Sequence, residues 1–262
     1  MTKTIHFITY GNEKFASAKA RILKEAEEFN EFETIKGYGF NEFETIKGYG
    51  PQDLPEDFKK KYSRILSSSR GGGYWVWKVA ILKERLKSLS DGEFLIYLDA
   101  GCKLNKAGKK RFNEYISMLE ESKYGIMSFK MSGNKGPGGF EKEKIWTTRE
   151  IFDYFNVDIN SQIANEGQYL GGILIIKKSS HSNLIIEKYS QALTDNPLLF
   201  TDYYNNTNQC SEFKDNRHDQ SVLSLIRKKY GSVIIDGDES WMQPFGSGES
   251  LKYPFWAIRS RD

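Results

Sequence analysis

The sequence predicts an α/β fold with a central, mostly parallel sheet flanked by helices, and three observations carry that expectation. Short runs of β-branched and aromatic residues alternate with longer runs whose apolar positions recur at helical spacing, the pattern of strand-helix-strand units. The run Phe94–Leu98 is apolar at every position, as a strand covered on both faces must be. No Pro/Ser-rich linker divides the chain, so residues 1–262 read as a single domain, and 262 residues at 39% hydrophobic content can bury a sizeable core.

TIHFITY, Thr4 to Tyr10, is rich in strand formers and gives way at Gly11-Asn12 to a helical pattern from Glu13 to Phe29. Residues 29–50 then repeat one eleven-residue unit, FNEFETIKGYG, without a single change. FETIK has strand composition and GYG is a turn signal, so one copy supplies the second strand and the other is a surface insertion. Either copy can serve. Pro51 and Pro55 mark a loop, DFKKKYSRIL a short helix, and Gly71-Gly72-Gly73 a break ahead of the helix YWVWKVAILKERLKSL, where Trp77, Ala80, Ile81 and Leu82 share a face. After the strand Phe94–Leu98 come a basic amphipathic helix near Ala107 to Ser122, the strand YGIMSFKM and the glycine-rich loop SGNKGPGGFEKEK. The helix TTREIFDYF, the strand GGILIIKKS, the helices HSNLIIEKYSQAL and HDQSVLSLIRKKYG, and the short strand SVIID complete the series.

Composition excludes several classes of function. The 38 basic residues nearly balance the 35 acidic ones, and a formal +3 gives no concentrated basic field for nucleic acid. Cys102 and Cys210 have no paired spacing, which argues against a thiolate zinc site and a disulfide framework; both read as reduced thiols. The apolar patch near the N-terminus is too short for a signal peptide or a membrane span, and no later run approaches about 18 apolar residues. A soluble, cytoplasmic protein is the expectation, with peripheral membrane contact left open.

Ligands of open α/β sheets sit outside the carboxyl ends of the strands. That rule selects Thr9-Tyr10-Gly11, Asp99-Ala100-Gly101 and the surroundings of Gly171-Gly172. Asp99 has two readings: it coordinates a hard cation or accepts from a ribose, or it caps the following turn with Gly101 at positive φ. Asp219 and Gln220 open an amphipathic helix, where a carboxylate serves the helix dipole or, together with the amide, the hydroxyls of a polar substrate. His218 beside them is a lone histidine and reads as a surface residue. Arg70 before the three glycines and Lys78 after the two tryptophans could face phosphates, but the spacing is neither GxGxxG nor GxxxxGK[ST]. Trp75 and Trp77 read as core.

FITYGN closing the first strand, LDAG where a DxD motif would fall, LGGILII and HDQSVLS together resemble nucleotide-sugar glycosyltransferases of the GT-A (Rossmann-like) fold, over roughly residues 4–236. The GGGYWVWK to YLDAGC spacing is similar to that of uncharacterised members associated with surface-polysaccharide synthesis. The resemblance implies transfer of a hexosyl or deoxyhexosyl group from a nucleoside-diphosphate-sugar donor to a glycan hydroxyl. It implies that Thr9 and Tyr10 contact the nucleotide base, that Arg70 and Lys78 lie toward the donor, and that Asp99, with Ala100 and Gly101, holds a divalent metal, manganese or magnesium, against the diphosphate. Gly171 and Gly172 would floor the transferred sugar, and Asp219 and Gln220 would be the catalytic pair. A general base at Asp219 means inversion at the anomeric carbon, whereas an orienting Asp219 leaves retention open. The sequence departs from the family in lacking the second acid of the motif and any histidine after His218, so Arg259 or Arg261 could compensate the diphosphate instead. Trp241 and Trp256, with Phe245, either stack on acceptor sugars or close the core. A non-catalytic nucleotide-sugar or glycan-binding protein on the same fold is the alternative.

Overall fold

A computed structural model describes residues 4–29, 46–131, 142–235 and 239–261. These residues form strands β1 (Ile5–Tyr10), β2 (Ile46–Tyr49), β3 (Phe94–Leu98), β4 (Lys103–Leu104), β5 (Met127–Phe129), β6 (Ile173–Lys177), β7 (Val233–Ile235) and β8 (Phe255–Trp256). The main sheet runs β2-β1-β3-β6. β1 is parallel to β2 and to β3, and β6 is antiparallel to β3, so the sheet is mostly parallel with one reversed edge. β5 pairs in parallel with β7 and is bridged to the main sheet at Ile126 and Ile176; β4 and β8 form a separate antiparallel pair.

Every residue of β1 and β3 is buried, because both sheet faces are covered. Successive side chains leave a strand on opposite faces. Ile8, Tyr10, Leu95 and Tyr97 therefore meet the helices Trp77–Lys87, Ser180–Asp195 and Asp219–Tyr230, while Ile5, Phe7, Phe94, Ile96 and Leu98 meet Ala16–Phe29 and Lys109–Glu121. The result is three layers, with each fully buried Leu, Ile or Phe contributing about 1.5–3 kcal/mol of apolar transfer.

The second copy of the repeat makes the strand: Ile46 pairs with Phe7 and Tyr49 with Tyr10. The first copy, beyond Phe29, lies outside the described residues, as does most of the glycine-rich loop. Gly48 lets the first helix lie close over β2: a Cβ there would sit 2.7 Å from Leu23 Cδ1, and that side chain would have to shift.

Three expectations change in detail. DFKKKYSRIL is two turns, Glu56–Lys61 and Ser63–Leu66, broken at Tyr62 as its ring enters the core. The following long helix begins at Trp77, not Tyr74, because Gly71 to Trp75 all take positive φ and wind one left-handed turn, with Tyr74 N–H donating to Arg70 O at 2.7 Å. The Trp77–Lys87 helix is also buried nearly all round, Lys78 and Arg85 included, where one apolar face was expected. Among the described residues, no helix is long and apolar enough to cross a membrane.

Candidate active site

The site is built where β3 ends. Asp99 donates its N–H to Gly172 O at 2.8 Å, which ties the turn after β3 to the start of β6. Its Oδ1 accepts from the Tyr97 hydroxyl and lies 3.3 Å from Lys78 Nζ. Lys78 reaches in from the Trp77–Lys87 helix with a side chain only 2% exposed; its ammonium donates to Asp219 Oδ2 at 2.6 Å and to Gly171 O at 3.1 Å. Asp219 is the first residue of the Asp219–Tyr230 helix, and next to it Gln220 accepts from Gly171 N–H at 2.9 Å. Four segments far apart in sequence thus meet around one ammonium.

The two glycines permit this closeness. A Cβ at Gly171 would stand 2.8 Å from Gln220 Cβ, and one at Gly172 would stand 2.8 Å from Asp99 Oδ2. Gly101 does not adopt the positive φ that the turn-capping reading required. It is small because the C-terminal segment passes over it: a Cβ there would meet Ser260 O at 3.2 Å and Arg259 Cα at 3.3 Å. Behind the turn, Arg21 donates to Ala100 O and to Cys102 O, both at 3.0 Å, so the first helix clamps the loop that carries Asp99.

Two carboxylates share one buried cation. Burial alone would lower the pKa of Lys78, but Asp219 and Asp99 outweigh it and raise it, so the ammonium keeps its proton. Burial pushes Asp219 up, helped by the like charge of Asp99 and opposed by Lys78. Burial and Asp99 also hold the Tyr97 phenol well above its usual value, so it stays a donor; the same two causes, in the same order, raise the Cys102 thiol and leave it unreactive.

The remaining predicted residues fall elsewhere. Arg70 does not join this cluster: its guanidinium pairs with Asp202 at 2.9 Å and Asp215 at 2.7 Å on a more exposed rim. His218 is not a surface histidine. It is 3% exposed, at φ +54°, with Nε2 2.8 Å from Asp202 Oδ1 and its ring against those of Tyr74 and Trp75. Thr9 is fully buried and its hydroxyl has no hydrogen-bond partner among the described residues. Tyr10 is buried and stacks on Trp77 at 3.7 Å, so one ring face is covered; burial and then Asp53 push its phenol up to about 12. Trp241 and Trp256 pack around Phe245 in the C-terminal segment, with the Arg259 guanidinium 5.3 Å over the Trp241 ring. All three rings are part-buried, and Trp241 packs against the core on one side.

The donor set does not fit a resident divalent cation. Lys78 already sits between the two carboxylates, Ala100 and Gly101 bring no second acid, and no group of three His, Cys, Asp or Glu side chains suited to a metal occurs among the described residues. Sequence reasoning missed Tyr97, Arg21, Asp202, Asp215 and Gln168, whose Oε1 accepts from Gln220 Nε2 at 2.6 Å. Tyr97 had a signal, since it precedes Asp99 by two residues on one strand and so shares its face; the others are brought in by tertiary packing alone.

No protein-family model and no curated protein matches the sequence. Among solved structures, the fold is similar to a glycosyltransferase involved in the glycosylation of the major capsid of PBCV-1, with a TM-score of 0.50 at 12% identity over 97% of this chain and 91% of that one. Mouse xyloside xylosyltransferase 1 in its apo form gives a TM-score of 0.45 at 10% identity over 88% and 84% of the two chains. The chain has the GT-A glycosyltransferase fold that the motif order implied.

Proposed function

We propose that the protein is a glycosyltransferase that moves a sugar from a nucleoside-diphosphate-sugar donor to a glycan hydroxyl, in polysaccharide or glycoconjugate synthesis. The observation that carries this reading is the convergence of Asp99, Asp219 and Gln220 on Lys78 and Gly171, at the carboxyl end of a central strand of a glycosyltransferase fold. In the reaction, the acceptor oxygen forms a bond to the anomeric carbon as the bond from that carbon to the phosphate oxygen breaks. The electron pair leaves with the nucleoside diphosphate, and the acceptor proton passes to a base.

Asp99 and Asp219 accept from hydroxyls of the donor, and Lys78 holds the two carboxylates at a fixed separation. The Gln220 amide donates to a donor oxygen. Arg259, whose backbone borders Gly101, is assigned to balance the diphosphate, a role that takes its guanidinium off the Trp241 ring, and no step here is assigned to a metal. A base role for Asp219 yields an inverted product, an orienting role a retained one, so the anomeric configuration of the product distinguishes them.

Incubation with UDP-, GDP- and dTDP-sugars, with and without manganese, tests the reading. Donor hydrolysis or transfer is expected with at least one donor, to persist in chelator, and to be lost in Asp99→Ala and Asp219→Ala. Binding of donors without turnover, whatever the acceptor, would sink it in favour of a non-catalytic nucleotide-sugar or glycan-binding protein.

A further inference from the structure

Behind the site lies a second buried charge that the roles above do not use. Glu143 is fully buried; its Oε1 accepts from Thr147 Oγ1 at 2.7 Å and Gln168 Nε2 at 3.0 Å. Its Oε2 accepts from the Ser224 hydroxyl and lies 3.0 Å from the Lys228 ammonium, whose side chain is 2% exposed. A carboxylate has no hydrogen to give, so Gln168 must turn its amide nitrogen toward Glu143. Its Oε1 then faces the other way and accepts from Gln220 Nε2 at 2.6 Å, while Gln220 Oε1 accepts from Gly171 N–H at 2.9 Å.

Each bond in this line has one permitted direction. If the Gln220 amide turned over, its oxygen would face the oxygen of Gln168 and its nitrogen the N–H of Gly171, leaving two pairs of like groups in contact. One Nε2 hydrogen of Gln220 is spent on Gln168, and the other has no partner among the described residues.

We propose that Glu143 and Gln168 are positioning residues that lock Gln220 in one amide orientation, so that the site presents a fixed N–H donor to an oxygen of the donor substrate. The fixed polarity follows from the hydrogen bonds themselves; the identity of the oxygen rests on the glycosyl-transfer reading. A fixed donor carries no reorganisation cost when charge develops on that oxygen.

A double-mutant cycle reads the polarity without any substrate. Gln220→Glu still accepts from Gly171 but can give nothing to Gln168, and Gln168 cannot turn over to help while Glu143 faces it. Glu143→Gln removes that block and lets the Gln168 amide turn over, against only the longer 3.4 Å contact to Trp146 O, so that the line reverses as far as position 220 while Gly171 still donates. Each single change lowers the melting temperature, and the double variant is expected to be more stable than the sum of the two, by about 2–4 °C. The second variant, Gln168→Met, keeps the length of the side chain and removes its polarity; kcat is expected to fall about tenfold while donor KM moves less than about threefold. Additivity in the cycle, or an unchanged kcat in Gln168→Met, overturns the proposal. Absence of turnover in the unmodified protein would defeat the glycosyl-transfer reading instead, and the cycle would still decide the polarity of the line.

Discussion

Lys78 is the residue on which the site turns, and its case shows what a sequence can and cannot disclose. Its place after two tryptophans and three glycines marked it as a cation near a ligand. Its burial was not visible, because the Trp77–Lys87 helix carries apolar residues on all sides and hides the lysine among them. Removing one partner of a buried ion pair leaves the rest uncompensated, so Lys78→Met should cost about 3–5 kcal/mol in urea unfolding. Adding Asp219→Asn should return part of that loss, since one of the two stranded carboxylates is then gone. Equal stability of the single and double variants would show that Lys78 does not hold the pair.

On the rim, Asp202 gives a pH prediction. Burial would raise its pKa, but the hydrogen bond and charge of His218, with the charge of Arg70, prevail and lower it. A carboxyl depressed in the folded state stabilises the fold above its unfolded pKa of about 3.9, and this stabilisation is lost as pH falls through the folded value. Melting temperature followed from about pH 6 to pH 2 should therefore decline less steeply in Asp202→Asn than in the unmodified protein. Parallel acid limbs would remove Asp202 from the account.

At the scale of elements, the strands and long helices were readable because their periods are local: β1, β3 and β6 fall where apolar runs placed them. The left-handed turn Gly71 to Trp75 was read only as a break. Three glycines announce unusual backbone, but the positive φ extends to Tyr74 and Trp75, whose rings lie against that of His218, far along the chain. At Gly73 both constraints act together, since φ is +99° and a Cβ would stand 2.7 Å from Leu66 Cα. Gly73→Ala should destabilise by about 1–3 kcal/mol and loosen the rim that Arg70 ties to Asp202 and Asp215. Gly92 is the control: it also has positive φ but open space around it, so Gly92→Ala should cost less. A reversed order in thermal melts would mean that crowding at Gly73 is not what requires glycine.

At the scale of the whole molecule, the perfect repeat offers the strand segment twice, and the described fold uses one copy. β2 needs one IKGY segment, and the second copy provides it in register with Phe7 to Tyr10, with Gly48 under the first helix. Sequence could not choose between identical copies; pairing did, and only the second copy leads from that register directly into Pro51. Deleting residues 30–40 leaves the sequence of one full unit between the first helix and β2, at five residues after Phe29 instead of sixteen. Five extended residues span up to about 17 Å, enough for a return from a helix end to a neighbouring strand. Shortening such a connection about threefold lowers its closure cost by about 1 kcal/mol, so the deleted protein should melt at the same temperature or a few degrees higher. The described residues of the site all lie outside 30–40, and donor turnover should be unchanged. A deletion variant that folds but no longer turns over a donor would place the first copy at the substrate, and one that fails to fold would place it in the core.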